Sequence, residues 1–311
     1  MRVAIIGTGA LACLFGARLA AHAQVCLLGS WPQGIAAINK RGICVEADGA
    51  VETARVPASS DAGQFAPAAA VLLLVKSWQT ERAARMAAAV LAPDGLAVTL
   101  QNGLGNLQKL AERVGPERAV AGVTTQGAAL LAPGHVRYGG GGDTHLALRE
   151  RTRGRLQQVA ELFETAGFPT LLTGALDGLL WGKLAVSAGI NALTALLGIP
   201  NGELLARPDA SELMLAAARE TESVAAALGI ELSSEAAERV RAVAESTAGN
   251  HSSMLQDMRR GAPTEIEAIN CAIAREAARQ GVPAPVNDLL CKLVRAARGG
   301  ENNHDNSQHP A

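Results

Sequence analysis

One of the most apolar stretches of this chain carries a lysine. In GLLWGKLAVSAGINALTALLG, residues 178 to 198, the side chains that stand out as polar are Lys183, Ser187 and Asn191, each four residues after the last. On a helix these three fall within an arc of about 80° and span roughly 12 Å along the axis. Two readings follow. A surface helix can let its lysine snorkel to water. A cleft-lining helix would instead offer an ammonium, a hydroxyl and an amide to one small molecule. A ketone gaining a hydride builds negative charge on its oxygen, and an ammonium can protonate it. That works best if desolvation lowers the lysine pKa from about 10.4 toward the operating pH. A nearby carboxylate would limit the fall, and Glu265 is the candidate.

A second stretch points to the hydride source. GTGALA, comprising Gly7, Thr8, Gly9, Ala10, Leu11 and Ala12, follows the buried run VAIIG and opens an amphipathic segment. A G-x-G-x-x-G/A pattern in strand–turn–helix context binds dinucleotides. Gly7 permits the tight turn, Gly9 lets the backbone approach a pyrophosphate, and Ala12 is small enough for the helix to pack on the strand. Free amides and the dipole at the helix start then stabilise the phosphates. The alternative is a plain glycine turn. No acidic residue occurs before Glu46, so the second strand ends CLLGSW without a carboxylate for the adenosine ribose. Without that repulsion toward a 2′-phosphate the pattern leans to NADPH, although no arginine stands there and NADH stays open.

Other candidates sit at element ends. Lys76 follows the strand-like AVLLLV, at the carboxyl end of the sheet where open α/β proteins bind ligands. Asn102 in LQNGLGN and Asn201 in IPNGEL each belong to an N-G pair, which is also a turn signal. Glu265 follows Pro263 and is expected in the first turn of a helix with an Ile266, Ile269, Ile273 stripe, where an acid can simply favour the helix dipole. Trp78 and Trp181 are expected to pack rather than stack on a ligand.

These residues need elements to hold them. The first half alternates short apolar runs (VAIIG, QVCLL, AVLLLVK, GLAVTLQN, RAVAGVTT, THLALRE, PTLLT) with amphipathic segments, as in a doubly wound α/β layer. The run Gly139 to Gly142 precedes a strand-like segment rather than a helix and is expected to be a hairpin connection. From about Leu176 the pattern becomes helical, over 178–197, 209–229, 233–247, 251–260 and 263–281. The predicted organisation is an α/β dinucleotide-binding domain over 1–174, an all-helical substrate and catalytic domain over 175–298, and a disordered polar tail over 299–311. The lysine helix would lie at the junction, and clefts between domains are frequent small-molecule sites.

Composition narrows the function. The 311 residues carry a net charge of −1 with scattered basic residues, so no footprint for nucleic acid appears. No apolar run is expected to reach the roughly 18 residues of a membrane span. No signal-peptide pattern opens the chain. Five cysteines without C-x-x-C spacing argue against a disulfide framework or a zinc site. Reduced thiols in a cytoplasmic protein without a metal are expected. His304 and His309 in the tail carry little weight.

In this order, GTGALA, VKSWQT, QNGLGN, WGKLAVSAGINALTAL, PNGEL and SSMLQDM…TEIEAIN, the motifs resemble the ketopantoate reductases, over about residues 3 to 295. The resemblance implies a Rossmann-like domain joined to a helical domain, and reduction of the C2 ketone of ketopantoate by NADPH in pantothenate and coenzyme A biosynthesis. It makes Lys183 the proton donor. It puts Asn102, Asn191 and Asn201 in the substrate and cofactor pocket, with Ser187 and Asn250 among the substrate-binding positions. Ser253 resembles the serine holding the substrate carboxylate, Lys76 and Glu265 match cofactor contacts, and Ala128 a backbone contact to the cofactor. The chain departs from the family pattern twice. Ser187 stands where asparagine is common, and Ser30 where an arginine often faces the 2′-phosphate.

Three alternatives remain at this level. A relative could reduce another branched 2-oxo acid, with NADH in place of NADPH. A β-hydroxyacid dehydrogenase is disfavoured, because its K-x-x-N-N pattern differs from the spacing here. A nucleotide-sensing regulator would have no use for a proton donor. A monomer and a homodimer both fit.

Overall fold

The computed structural model describes residues 1–298, so the tail expected at 299–311, with His304 and His309, lies outside the described residues. The chain divides into two compact units. Among the described residues, the first comprises Met1–Gln101 and Gly105–Leu176; the second takes in Asn102–Leu104 and residues 177–298.

The first unit is built on β1 (Arg2–Ile6), α1 (Ala10–Leu19), β2 (Gln24–Leu28), α2 (Pro32–Arg41), β3 (Ile43–Ala47), β4 (Ala50–Ala54), β5 (Ala58–Ser59) and β6 (Ala68–Leu73). It continues through α3 (Thr80–Val90), β7 (Leu91–Thr99), α4 (Asn106–Val114), β8 (Ala119–Thr124), β9 (Ala128–Ala132), β10 (His135–Tyr138), β11 (Thr144–Ala147), α5 (Arg153–Thr165) and β12 (Thr170–Thr173). The main sheet runs β12-β11-β8-β7-β6-β1-β2-β5, parallel except where β11 meets β8. Successive side chains of β1 point to opposite faces. Val3 and Ile5 enter one buried cluster with Phe15 and Phe163, while Ala4 and Ile6 enter another with Leu73 and Leu110. Burial on both faces is why the strand reads as a continuous apolar run. Strand order reverses at β1, whose neighbours are β2 and β6, and such switch points are where α/β sheets bind ligands.

A second sheet, β4-β3-β10-β9, was not expected from the sequence. Its β3–β4 hairpin turns at Asp48 and Gly49, both at positive φ (49° and 79°), the two-residue D-G turn that strand twist favours. The Gly139–Gly142 run is not a hairpin connection. The hairpin closes earlier, between β9 and β10, and the glycine run carries the chain from the small sheet to β11 in the large one. It is held opposite 125–127, where Gly139 N donates to Gly127 O at 2.9 Å and Gly142 N to Thr125 Oγ1 at 2.9 Å.

The second unit consists of α6 (Leu176–Leu197), α7 (Glu203–Ala206), α8 (Pro208–Ala227), α9 (Ala236–Ser246), α10 (Ser253–Arg259), α11 (Asn270–Gln280) and α12 (Pro285–Ala297). Its core gathers Trp181, Leu184 and Ala188 of α6 with Met214, Val240, Leu255, Ile273 and Leu290. Contrary to the sequence expectation, α6 is long and apolar enough to cross a membrane, with a mean hydropathy of 1.4 in its best window. Lys183 interrupts the run without ending the helix. Some 61% of that window is buried inside the protein, so its apolar faces already have partners.

Two further expectations are corrected by the structure. Cys271 and Cys291 form a disulfide, with Cα atoms 5.1 Å apart, where reduced thiols were expected. Their separation of 20 residues gives no motif, but it places them on α11 and α12, which pack side by side. The other expectation concerns Glu265, which lies in a turn rather than a helix, since α11 starts only at Asn270. The helix cannot begin sooner because Ala268 O accepts from Leu104 N at 2.8 Å and Ile269 adopts φ −106°, ψ −101°.

Candidate functional site

In the first unit, the turn after β1 has the shape an anion cradle needs. Gly7 sits at φ 136°, and a Cβ there would lie 2.6 Å from Leu74 O and 3.1 Å from the Ala12 Cβ. Only glycine fits, and Ala12 is small for the same reason. Gly9 precedes α1 with an extended backbone, no side-chain cap and no acid in the first turn, so the amides of Ala10 and Leu11 are left for an anion. Thr8 is fully buried, and its Oγ1 has no hydrogen-bond partner among the described residues. Leu74 N donates to Ile6 O at 2.9 Å and Gly7 N to Leu28 O at 2.7 Å, so the loops after β1, β2 and β6 converge. These features fit a dinucleotide pyrophosphate.

Lys76 follows β6, half-buried, and precedes a short 3-10 turn over Ser77–Gln79. Gln101 positions it, with Nε2 donating to Val75 O at 3.0 Å and Thr80 Oγ1 at 2.8 Å. Thr80 in turn donates to Asn106 Oδ1 at 2.7 Å. Sequence reasoning missed this trio, although Gln101 and Asn106 flank the N-G pair in QNGLGN. Ala128 opens β9, part-buried. Trp181 packs in the helical core as expected; Trp78 is part-buried, with Nε1 unpartnered among the described residues.

In the second unit, Lys183, Ser187 and Asn191 are all half-buried on α6, while Leu184, Ala185, Ala188, Ala192 and Leu193 are buried. The polar stripe is thus the part-buried edge of a core helix. Burial pulls the Lys183 ammonium down to about 8, and the charge of Glu265 opposes the fall. The two causes have opposite signs and burial dominates. The residue as a whole is part-buried, while its ammonium is desolvated enough for burial to outweigh the carboxylate.

Glu265 is 5% exposed, and its Oε2 accepts from Asn102 Nδ2 at 3.4 Å. The 102–104 segment is pinned against the Glu265 turn. A Cβ on Gly103 would lie 2.5 Å from Ala268 O, so the close approach needs glycine.

Asn201 is buried, donating from its backbone N to Asn250 O and from Nδ2 to Thr247 Oγ1, each at 2.9 Å. Its Oδ1 has no partner among the described residues. Asn250 itself is exposed, and its visible role is to hold Asn201 by a backbone carbonyl. The adjacent serines of the SSM motif have separate tasks. Ser252 caps α10, accepting from Leu255 N at 3.1 Å, and meets Thr194 Oγ1 at 2.7 Å. Ser253 is the part-exposed first residue of that helix. Within this unit the structure therefore joins Lys183, Glu265 and Asn102 electrostatically, and links Asn201 with Asn250.

The described residues contain no group of three or more His, Cys, Asp or Glu able to hold a metal ion. Cys13 and Cys26 are raised to about 12 by burial, which makes them poor nucleophiles.

Comparison with known proteins adds to this geometry. The family model described as ketopantoate reductase PanE/ApbA matches residues 3–151, and its C-terminal counterpart matches 175–298. A 2-dehydropantoate 2-reductase of Halobacterium salinarum is 38% identical over 301 residues, covering 96% of this chain and 99% of its own length. A crystal structure of a PanE/ApbA family ketopantoate reductase from Ralstonia eutropha matches with a TM-score of 0.89 and 33% identity, over 96% of this chain and 99% of that one. D-mandelate dehydrogenase with NADH and anilino(oxo)acetate matches with a TM-score of 0.90 and 25% identity, over the same shares.

Proposed function

The chain belongs to the ketopantoate reductase family, and from that premise we propose that it reduces 2-dehydropantoate to pantoate with NADPH. The observation that carries the reading is Lys183: a desolvated ammonium on a core helix, brought to about 8 and under the influence of the buried Glu265 carboxylate.

When bound, the nicotinamide supplies a hydride to the C2 carbonyl carbon. Lys183 Nζ donates a hydrogen bond to the carbonyl oxygen and transfers its proton as negative charge builds there. A value near 8 leaves the lysine protonated at neutral pH while making it a stronger acid than a solvated lysine. Glu265 keeps the proton from leaving too early, and Asn102 holds Glu265 in place. After transfer, the neutral amine regains a proton from water. Asn191 and the Asn201 Oδ1 supply neutral polar contacts to the substrate, and the Ser253 hydroxyl donates to its carboxylate. Gly7, Gly9 and the start of α1 hold the cofactor pyrophosphate, and Lys76 adds a cation beside it. The reaction belongs to pantothenate and coenzyme A biosynthesis, and we place it in the cytoplasm, with α6 serving as a core helix.

Ser187 favours a second reading. Its shorter side chain leaves more room beside Lys183 than asparagine would, which suits a 2-oxo acid with a bulkier substituent, with NADH or NADPH as donor. The mandelate dehydrogenase match gives that reading a structural parallel.

The test is oxidation of NADPH and of NADH with ketopantoate and a panel of branched and aromatic 2-oxo acids, compared by kcat/KM. Highest efficiency with ketopantoate and NADPH is expected. A larger kcat/KM for an aromatic acid would transfer the assignment to the second reading, and no turnover with any 2-oxo acid would overturn both.

A further inference from the structure

A shallow groove in the first unit is lined by Ile6, Gly7, Gly29, Ser30, Gln79 and Arg82, among others. It lies at the carboxyl ends of β1 and β2, beside the glycine turn. A dinucleotide whose pyrophosphate rests at the start of α1 directs its adenosine ribose to the end of β2. No carboxylate lines the groove there, and the strand end supplies only Ser30.

Arg82 enters from α3. It is exposed and makes no hydrogen bond or ion pair among the described residues. The neighbouring guanidiniums are engaged: Arg85 Nη1 donates to Glu81 Oε1 at 3.2 Å, and Arg113 donates to the same oxygen. Gln79, only 9% exposed, also lines the groove, and its Oε1 lacks a partner among the described residues. The groove thus combines an uncompensated cation with a buried, unpartnered acceptor.

We propose that Arg82, together with Ser30, recognises the 2′-phosphate of the cofactor, supplying from α3 the guanidinium that the end of β2 lacks. The inference rests on the NADPH reading above and deepens it. A guanidinium binds a phosphate through charge-assisted, paired hydrogen bonds, whereas a neutral ribose diol offers it little. Arg82 is therefore a specificity determinant rather than a general affinity contact. Its exposure also makes the discrimination sensitive to salt.

The test is calorimetric binding of NADP+ and NAD+ to the full chain at low and high ionic strength, for the wild type, Arg82→Ala, Arg82→Lys and Arg85→Ala. The wild type should prefer NADP+. Arg82→Ala should lower NADP+ affinity by about tenfold or more relative to NAD+, a charge-assisted contact being at stake. Arg82→Lys should recover part of the loss, and Arg85→Ala should leave the ratio unchanged. A preference that survives in Arg82→Ala, or falls equally in Arg85→Ala, overturns the role of Arg82 alone. A wild type that binds both nucleotides equally removes the NADPH reading, and this assignment with it.

Discussion

Lys183 on α6 and Glu265 in the turn before α11 are separated by 82 positions in the sequence, yet the carboxylate acts directly on the lysine's affinity for its proton. Desolvation lowers that affinity and Glu265 restores part of it. The balance leaves an acid usable near neutral pH, and it can be tested from either partner.

Replacing Lys183 with methionine removes the proton donor while keeping a similar stem. kcat with the preferred 2-oxo acid should drop by at least about a hundredfold, the usual scale of general acid catalysis. Cofactor binding, followed by fluorescence, should stay within about threefold. Stability should move the other way. The folded-state pKa lies below the ordinary 10.5, so the folded protein holds its proton less tightly than the unfolded chain. That penalty is fully present below about pH 8 and fades between about 8 and 10.5. In a Glu265→Gln background, where no buried carboxylate is left without its cation, Lys183→Met should therefore raise Tm at pH 7, and raise it less at pH 10. An unchanged kcat would dismiss Lys183 as the acid.

A protonated lysine acting as acid also fixes the pH profile. kcat should be level at neutral pH and fall as pH rises through about 8, where the ammonium is lost. Glu265→Gln keeps the size of the side chain and removes the charge that opposes the downward shift. The fall in kcat should then begin at lower pH than in the wild type. A profile unmoved by this substitution would show that Glu265 does not set the acidity of Lys183.

The polar stripe is legible in the sequence because its members share one helix, where spacing by four is enough to align them. The glycine turn is legible because strand, turn and helix are contiguous. Glu265 could be named but not correctly placed. Pro263 and the Ile266, Ile269, Ile273 pattern suggest a helix start, while the bond from Leu104 N to Ala268 O that forbids it joins residues far apart in sequence. The second sheet was missed although the Asp48–Gly49 turn signalled its first hairpin. Its first two strands carry polar residues, with β4 largely exposed and β3 only partly buried, so they lack the apolar run that marks β1 or β6. Cys271 and Cys291 had no motif because only the packing of α11 on α12 brings them together.

Ser253 depends on a contact that does not involve its own side chain. Thr194 Oγ1 meets Ser252 Oγ at 2.7 Å and also bonds Ile190 O at 2.8 Å, tying the start of α10 to α6 three residues beyond Asn191. Thr194 is therefore a positioning residue. Thr194→Val should raise KM for the 2-oxo acid severalfold with a smaller effect on kcat and none on cofactor affinity. Thr194→Ser, which keeps the hydroxyl, should restore KM. Equal damage from both substitutions would point to packing rather than to the hydrogen bond.

The α11–α12 disulfide makes a prediction that needs no activity measurement. Of the five cysteines, Cys13, Cys26 and Cys44 are free, so thiol titration of the protein unfolded without reductant should count three, rising to five after reduction. Closing a loop across 20 positions restricts the unfolded chain, a contribution of about 3 kcal/mol in the chain-entropy account. Reduction should therefore lower the denaturant midpoint measurably. Cys271 and Cys291 are 2% and 4% exposed, so reduction of the folded protein should be slow and accelerate when denaturant opens the helices. A count of five thiols without reductant would show that the pair is not joined in solution, and the second unit would then owe its stability to helix packing alone.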